Sequence, residues 1–205
     1  PTECLRSAAS RVLNTVSPEA KAALSRDVAQ QWFDDKLSSP RDEALAPPDR
    51  PARPARPELV LPRDVPRRTL KRPEVLLHAI AHIELNAIDL AADLLVRFPD
   101  AGLPMEFYND WLTVLDEEAK HFMLLSARLG EFGAAYGDLP AHDGLWQAAQ
   151  DTADDLLARL AIVPLVLEAR GLDVTPGMSK SLRKAGDAAS ADAATAATVD
   201  TLGRL

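Results

Sequence analysis

The chain has 205 residues, a formal net charge of -8 and only 5% aromatic residues. Its acidic balance argues against a general nucleic-acid coat protein, and its single cysteine, Cys4, excludes an internal disulfide and a cysteine-based zinc site. No stretch resembles a signal peptide, and no apolar run approaches the roughly 20 residues that span a bilayer, so we expect a cytoplasmic protein without a membrane partner.

The first 38 residues predict two short helices. The second helix has a well-marked start, with Ser17 as the N-cap, Pro18 at the first helical position and Glu19 in the first turn. We therefore interpret residues 1–38 as a helical extension that precedes the main domain.

Residues 39–73 have a different composition and contain nine of the 16 prolines. Because proline lacks an amide donor and restricts the residue before it, this segment predicts extended, polyproline-like backbone. From Asp49 to Pro73 it carries eight basic residues against three acidic ones. One interpretation is a basic arm for RNA or a partner. The other, which we favour, is a strap across an acidic bundle, with Leu59, Val60 and Leu61 in a groove.

Residues 74–205 predict four helices, at 74–97, 104–129, 143–170 and 178–201. The first and third connections are short, so each joins antiparallel neighbours. The connection from Gly130 to His142 spans about 43 Å when extended, which exceeds the length of about 39 Å of a 26-residue helix. One long crossover between two helical hairpins is the topology of a ferritin-like four-helix bundle, so we predict that all-α fold, with an atypical fourth helix.

Acidic side chains interrupt the apolar stripes of three of these helices. Glu84 lies in the middle of the first stripe, and Glu118 and His121 share the inner face of the second helix. Glu168 extends the stripe of the third helix. Buried carboxylates are costly unless a cation neutralises them, and the Glu-x-x-His spacing sets two side chains about 60° apart on one helix, so both can reach one metal. Carboxylate and imidazole donors suit iron or manganese, with zinc as an alternative.

Each of these residues also has a structural interpretation. A single Glu-x-x-His on a helix is often a surface coincidence, Glu84 could pair with Arg159 in the core, and Glu168 could be solvated near a helix end. His78 and His82 have the i, i+4 spacing of a zinc pair. Because Glu84 lies about 160° from His82 around the helix, we expect the two histidines to be surface residues or neighbours of the ligands.

Four segments resemble an uncharacterised bacterial ferritin-like family, known only as domain of unknown function 455: LLHAIAHIELNAIDLAADL, PMEFYNDWLTVLDEEAKHF, YGDLPAHDGLW and ARLAIVPLVLEARGLDVTPGM. The resemblance covers roughly residues 10 to 190. More distantly, the family is similar to the non-haem di-iron hydroxylases that modify isopentenyl-adenosine in tRNA. The resemblance implies a helical di-iron fold with metal ligands at Glu84, Glu118, His121 and Glu168, and it implies no particular reaction.

The C-terminal part departs from the family pattern near Ala191. A complete site of this type takes a second Glu-x-x-His from the fourth helix, but this chain has no histidine after His142 and no glutamate after Glu168. We therefore expect a truncated or altered fourth helix, a first iron held by Glu84, Glu118 and His121, and an incomplete second iron site.

Three functions fit these patterns. The first is an iron-dependent oxidase or hydroxylase that acts on a small-molecule or nucleoside substrate. The second is a non-catalytic metal-binding protein, and the third is a structural module. The expected partners are a metal ion and that substrate; the sequence also allows binding of nucleic acid and a homodimer.

Overall fold

The structure is a computed structural model that describes residues 2–38, 45–66, 72–98, 102–162, 179–180, 182–183 and 187–202. Within these ranges it contains seven α-helices and no strand, which confirms the predicted all-α helical bundle. The helices are α1 (Leu5–Leu13), α2 (Pro18–Phe33), α3 (Pro73–Arg97), α4 (Met105–Glu131), α5 (Gly144–Asp151), α6 (Leu156–Leu160) and α7 (Ala188–Leu202).

The start of α2 is the one that its sequence predicts. The Ser17 hydroxyl accepts a hydrogen bond from the Ala20 amide at 3.3 Å, and Pro18 occupies the first turn, where no amide donor is needed. The two long helices α3 and α4 also begin and end close to the predicted positions.

Helix α3 has the length and hydropathy of a membrane-spanning segment. However, 89% of its apolar window is buried inside the protein, and the core helices of soluble proteins have the same composition. Its apolar character is therefore weak evidence for a membrane.

The continuous third helix predicted over 143–170 is wrong, because α5 ends at Asp151 and α6 begins at Leu156. Asp155 has extended backbone angles, and its side chain caps α6 by accepting from the Ala158 amide at 3.0 Å. The buried Arg159 guanidinium donates to the Ala149 carbonyl and the Thr152 hydroxyl, so it binds the carbonyl end of α5 across the break. Residues 163–170 lie outside the described ranges.

Within the fourth predicted helix, 178–201, residues 179, 180, 182 and 183 are helical, residue 187 is not, and α7 follows from Ala188 to Leu202. Asp187 caps α7 by accepting from the Ser190 amide at 3.0 Å. Arg128 of α4 donates to the Asp187 carboxylate at 2.8 Å and to the Ser190 hydroxyl at 3.1 Å. The polar N-terminus of α7 is thus bound to α4, while its alanines Ala191, Ala193 and Ala194 are buried.

The chain forms two compact units. The first comprises Pro1–Pro54 and Leu85–Lys120, and the second comprises Ala55–Glu84 and His121–Leu205. The three zones predicted from the sequence, 1–38, 39–73 and 74–205, stay a prediction.

In the first unit, a buried ion-pair network holds the first part of the strap. The Asp89 carboxylate of α3 is fully buried and accepts from Lys21 of α2 and from Arg53 of the strap, the latter at 2.8 Å. Arg53 also donates to the Asn86 side chain at 2.7 Å. A buried carboxylate is stable only when its charge is compensated in this way, so Arg53 belongs to the folded core and is not part of a free basic arm.

A second cation of the first unit caps the carbonyl end of α3. The buried Arg6 of α1 donates to the Val96 carbonyl at 3.0 Å and to the Leu45 carbonyl at 2.9 Å. Arg97 at the end of α3 donates to the Pro48 carbonyl of the strap at 3.0 Å. Both arginines satisfy carbonyl groups that the helix and the strap cannot satisfy themselves.

In the second unit, the strap is held by its backbone. The Val60 amide donates to the Ala141 carbonyl at 2.8 Å, and the Ala141 amide donates to the Glu58 carbonyl at 3.0 Å. Leu59 and Leu61 are 44% and 55% exposed, so the prediction that they lie in a groove is wrong. Two backbone hydrogen bonds fix this part of the strap without burying its leucines.

Candidate metal centre

Two buried carboxylates and one buried imidazole come from adjacent turns of the long helices. Glu84 of α3 is 4% exposed, and Glu118 and His121 of α4 are 2% and 5% exposed. They are buried because the flanking positions in both helices are apolar and equally buried, including Ile80, Ile88, Leu115, Phe122 and Leu125.

The three side chains converge. One ligand atom from each of Glu84, Glu118 and His121 lies within 4.8 Å of the other two. The His121 Nδ1 atom is 3.5 Å from a Glu84 carboxylate oxygen. Two ligand atoms that each lie about 2.0–2.2 Å from one metal are at most about 4.4 Å apart, and three equidistant ones at most about 3.8 Å, so the three side chains need to move closer together to bind one ion. Within the described ranges, this is the one such group of three.

The chemistry of the donors fits a divalent cation. Two carboxylates carry two negative charges, and a neutral imidazole adds a nitrogen donor without charge. A divalent ion bound to Glu84, Glu118 and His121 would leave the triad formally neutral in an interior where an isolated charge is costly. Carboxylate-rich donors with one imidazole suit iron and manganese.

The other predicted ligand, Glu168, lies outside the described residues. Arg159, the arginine considered as a partner of Glu84, donates to Ala149 and Thr152 at the end of α5. In α7, Asp192 is 64% exposed and pairs with Arg183, so it is not a buried donor. Of the four predicted ligands, the structure therefore brings three together, and whether they bind a metal stays a prediction.

The surface interpretation of His78 and His82 is wrong, because both rings are buried on α3. The His78 Nε2 atom accepts from the Gly137 amide at 2.9 Å, and His82 Nδ1 lies 2.8 Å from the Tyr136 hydroxyl. Burial lowers the pKa of His78 more than the negative charge of Asp138 raises it, which agrees with a neutral acceptor ring. The i, i+4 spacing in the sequence marks a face that binds a loop.

The fold and the triad define an all-α protein with a buried, carboxylate-rich candidate metal centre. Residues 14–200 match the family described as protein of unknown function (DUF455), so the chain belongs to that family. An uncharacterized protein of Haemophilus influenzae is 40% identical over an alignment of 192 residues, which covers 85% of this chain and 65% of that protein. The chain thus spans less than two thirds of that relative, and no solved structure matches it significantly.

Proposed function

We propose that the protein is a ferritin-like non-haem iron protein of the di-iron carboxylate type that oxidises or hydroxylates a small-molecule or nucleoside substrate. The observation that carries this proposal is the convergence of Glu84, Glu118 and His121 to within 4.8 Å in a buried helical interior. The long α3 and α4 helices and the crossover from α4 to α5 support the ferritin-like topology.

Each residue of the triad has a role in this proposal. The carboxylates of Glu84 and Glu118 would neutralise the ion, and neutral His121 would donate a nitrogen lone pair. When bound, iron supplies dioxygen-dependent oxidation chemistry. Because all three side chains are at most 5% exposed, the protein keeps bulk water away from their donor atoms.

A second candidate is a protein that binds one metal and has no oxidase activity. It is favoured by the described residues, among which Glu84, Glu118 and His121 are the one group of three possible metal ligands, enough for a single ion. The exposure of Asp192 also supports this candidate, because the part of α7 whose side chains are described offers no buried carboxylate as a further ligand.

Metal stoichiometry and oxygen consumption distinguish the candidates. The protein is loaded anaerobically with ferrous iron, desalted, and assayed for iron per chain, and oxygen uptake is then followed. Oxygen uptake coupled to oxidation of an added substrate supports the oxidase. Iron that stays bound in air, with oxygen uptake limited to the oxidation of the iron itself, supports the binding protein.

The variant Glu118→Ala is expected to lose stoichiometric iron while keeping its helical circular dichroism. Asp116→Ala is the matched control, since Asp116 lies half a turn away on α4 and pairs with Arg26 and Lys120 at the surface. Retention of stoichiometric iron in Glu118→Ala, or equal loss in the control, would count against the assignment.

A further inference from the structure

Tyr136, in the connection between α4 and α5, contacts both helices that carry the triad. Its hydroxyl lies 2.8 Å from His82 Nδ1, and its ring stacks on His78 with centroids 5.3 Å apart. On the other side, the ring meets Phe122 of α4 edge-on, with centroids 5.4 Å apart. Tyr136 thus touches α3 and α4 at the same time.

These contacts lie next to the metal ligands in the sequence. His82 precedes Glu84 by two residues on α3, and Phe122 directly follows His121 on α4. Residues two apart on a helix point about 160° away from each other, so Tyr136 contacts α3 on the side opposite Glu84. Its influence on the triad therefore passes through the position of the helix and not through direct contact.

The two hydrogen bonds of the His82 ring show which partner is the donor between His82 Nδ1 and the Tyr136 hydroxyl. His82 Nε2 is 3.1 Å from the His142 carbonyl oxygen, which can only accept, so Nε2 carries a proton. In the neutral ring, Nδ1 is then an acceptor, and the Tyr136 hydroxyl donates to it. The segment from Tyr136 to His142 therefore binds the His82 ring through both nitrogens.

That segment is itself held in place. The Gly137 amide donates to His78 at 2.9 Å, and Ala141 exchanges two backbone hydrogen bonds with Glu58 and Val60 of the strap. The backbone of this segment is bound to α3 on one side and to the strap on the other. Tyr136 therefore has a fixed position, and its hydrogen bond to His82 can limit the rotation of α3.

A small rotation of α3 would disturb the triad. Side chains extend about 5–6 Å from a helix axis, so a rotation of about 10° moves a carboxylate by about 1 Å. Metal–ligand distances tolerate deviations of only about 0.2 Å. We propose that Tyr136 is a positioning residue that fixes the rotation of α3, through its hydrogen bond to His82, and thereby sets Glu84 at the metal site. This inference rests on the proposed metal-binding function.

The test compares Tyr136→Phe with Tyr108→Phe, the same substitution at the other tyrosine, which is buried near the start of α4. The probe is cobalt(II) alone, whose affinity and ligand-field absorption report the donor geometry. We expect Tyr136→Phe to raise the Kd for cobalt(II) about tenfold, the lower end of the effect of changes around a metal site, and to shift the ligand-field band, because Glu84 moves with α3. Tyr108→Phe should change neither.

The variant His82→Ala shows whether the hydroxyl acts through the imidazole. It should raise the Kd as much as Tyr136→Phe, and the double variant should be no weaker than either single variant. A wild-type Kd and spectrum in Tyr136→Phe, or additive losses in the double variant, would overturn the inference while leaving the metal site standing. If the wild-type protein itself binds no cobalt(II) or iron(II), both the proposed function and this inference fail.

Discussion

Replacing Asp89 with alanine removes the centre of the buried ion-pair network in the first unit. Asp89 is fully buried and is bonded to Lys21, which is 1% exposed, and to Arg53. Burial lowers the pKa of Lys21 more than the neighbouring Asp89 raises it, so this ammonium depends on the carboxylate for compensation. The substitution leaves Lys21 without that compensation.

The expected cost follows from this burial. Breaking a buried ion pair by removing one partner costs about 3–5 kcal/mol, whereas an exposed pair contributes about 0–1 kcal/mol. The matched control is Asp116→Ala, because Asp116 pairs with Arg26 at 3.1 Å and both side chains are partly exposed. The free energy of unfolding should therefore fall several-fold more in Asp89→Ala than in Asp116→Ala.

Urea unfolding followed by far-UV circular dichroism measures both changes. The pKa of Lys21 in the folded state lies below its usual value of 10.5. At a pH just below 10.5 the unfolded chain therefore binds more protons than the folded protein does. Asp89→Ala should thus regain stability as the pH rises towards 10.5. A loss below about 1 kcal/mol at pH 7, equal to that of the exposed control, would refute the reasoning.

Three further substitutions test other contacts, each measured as a change in thermal or urea unfolding. Arg6→Met should cost about 1.5–3 kcal/mol, because two carbonyls lose a charged donor; no measurable loss would contradict that capping role. The stability of the wild-type protein should fall as the pH drops below 6.5. His78 of the unfolded chain binds a proton there, whereas burial lowers the pKa of His78 in the folded state more than nearby Asp138 raises it. His78→Gln keeps an acceptor for Gly137 and should flatten that slope; an unchanged slope would exclude His78 as its source. Gly137→Ala should cost about 1–3 kcal/mol, since φ is +103° and a Cβ would lie 3.3 Å from Arg56. Gly130→Ala, in open space on α4, should not destabilise, and equal effects would refute the steric argument.

The elements that local sequence specifies were predictable. Ser17 and Pro18 determine the start of α2, and the apolar periodicity determines α3 and α4, because cap chemistry and side-chain spacing act within one helix. The same periodicity predicted that Glu84, Glu118 and His121 face the interior of the helical bundle. Their mutual distance depends on how two helices pack, which the spacing along either helix does not contain.

The features that the sequence did not predict depend on tertiary contacts. The break after α5 is stabilised by Arg159, which reaches back to Ala149 and Thr152, and a periodicity argument does not include such a bond. The buried rings of His78 and His82 likewise both contact Tyr136, more than 50 residues away. The sequence around the two histidines does not indicate a contact partner so far along the chain. Their i, i+4 spacing indicates only the face of α3 that Tyr136 contacts.

Anomalous diffraction at the iron absorption edge, from crystals of anaerobically iron-loaded protein, tests the metal assignment most directly. We predict a peak about 2.0–2.3 Å from one donor atom each of Glu84, Glu118 and His121. A fully loaded crystal with no peak between these three side chains, or with its iron bound elsewhere, would contradict the proposed metal centre.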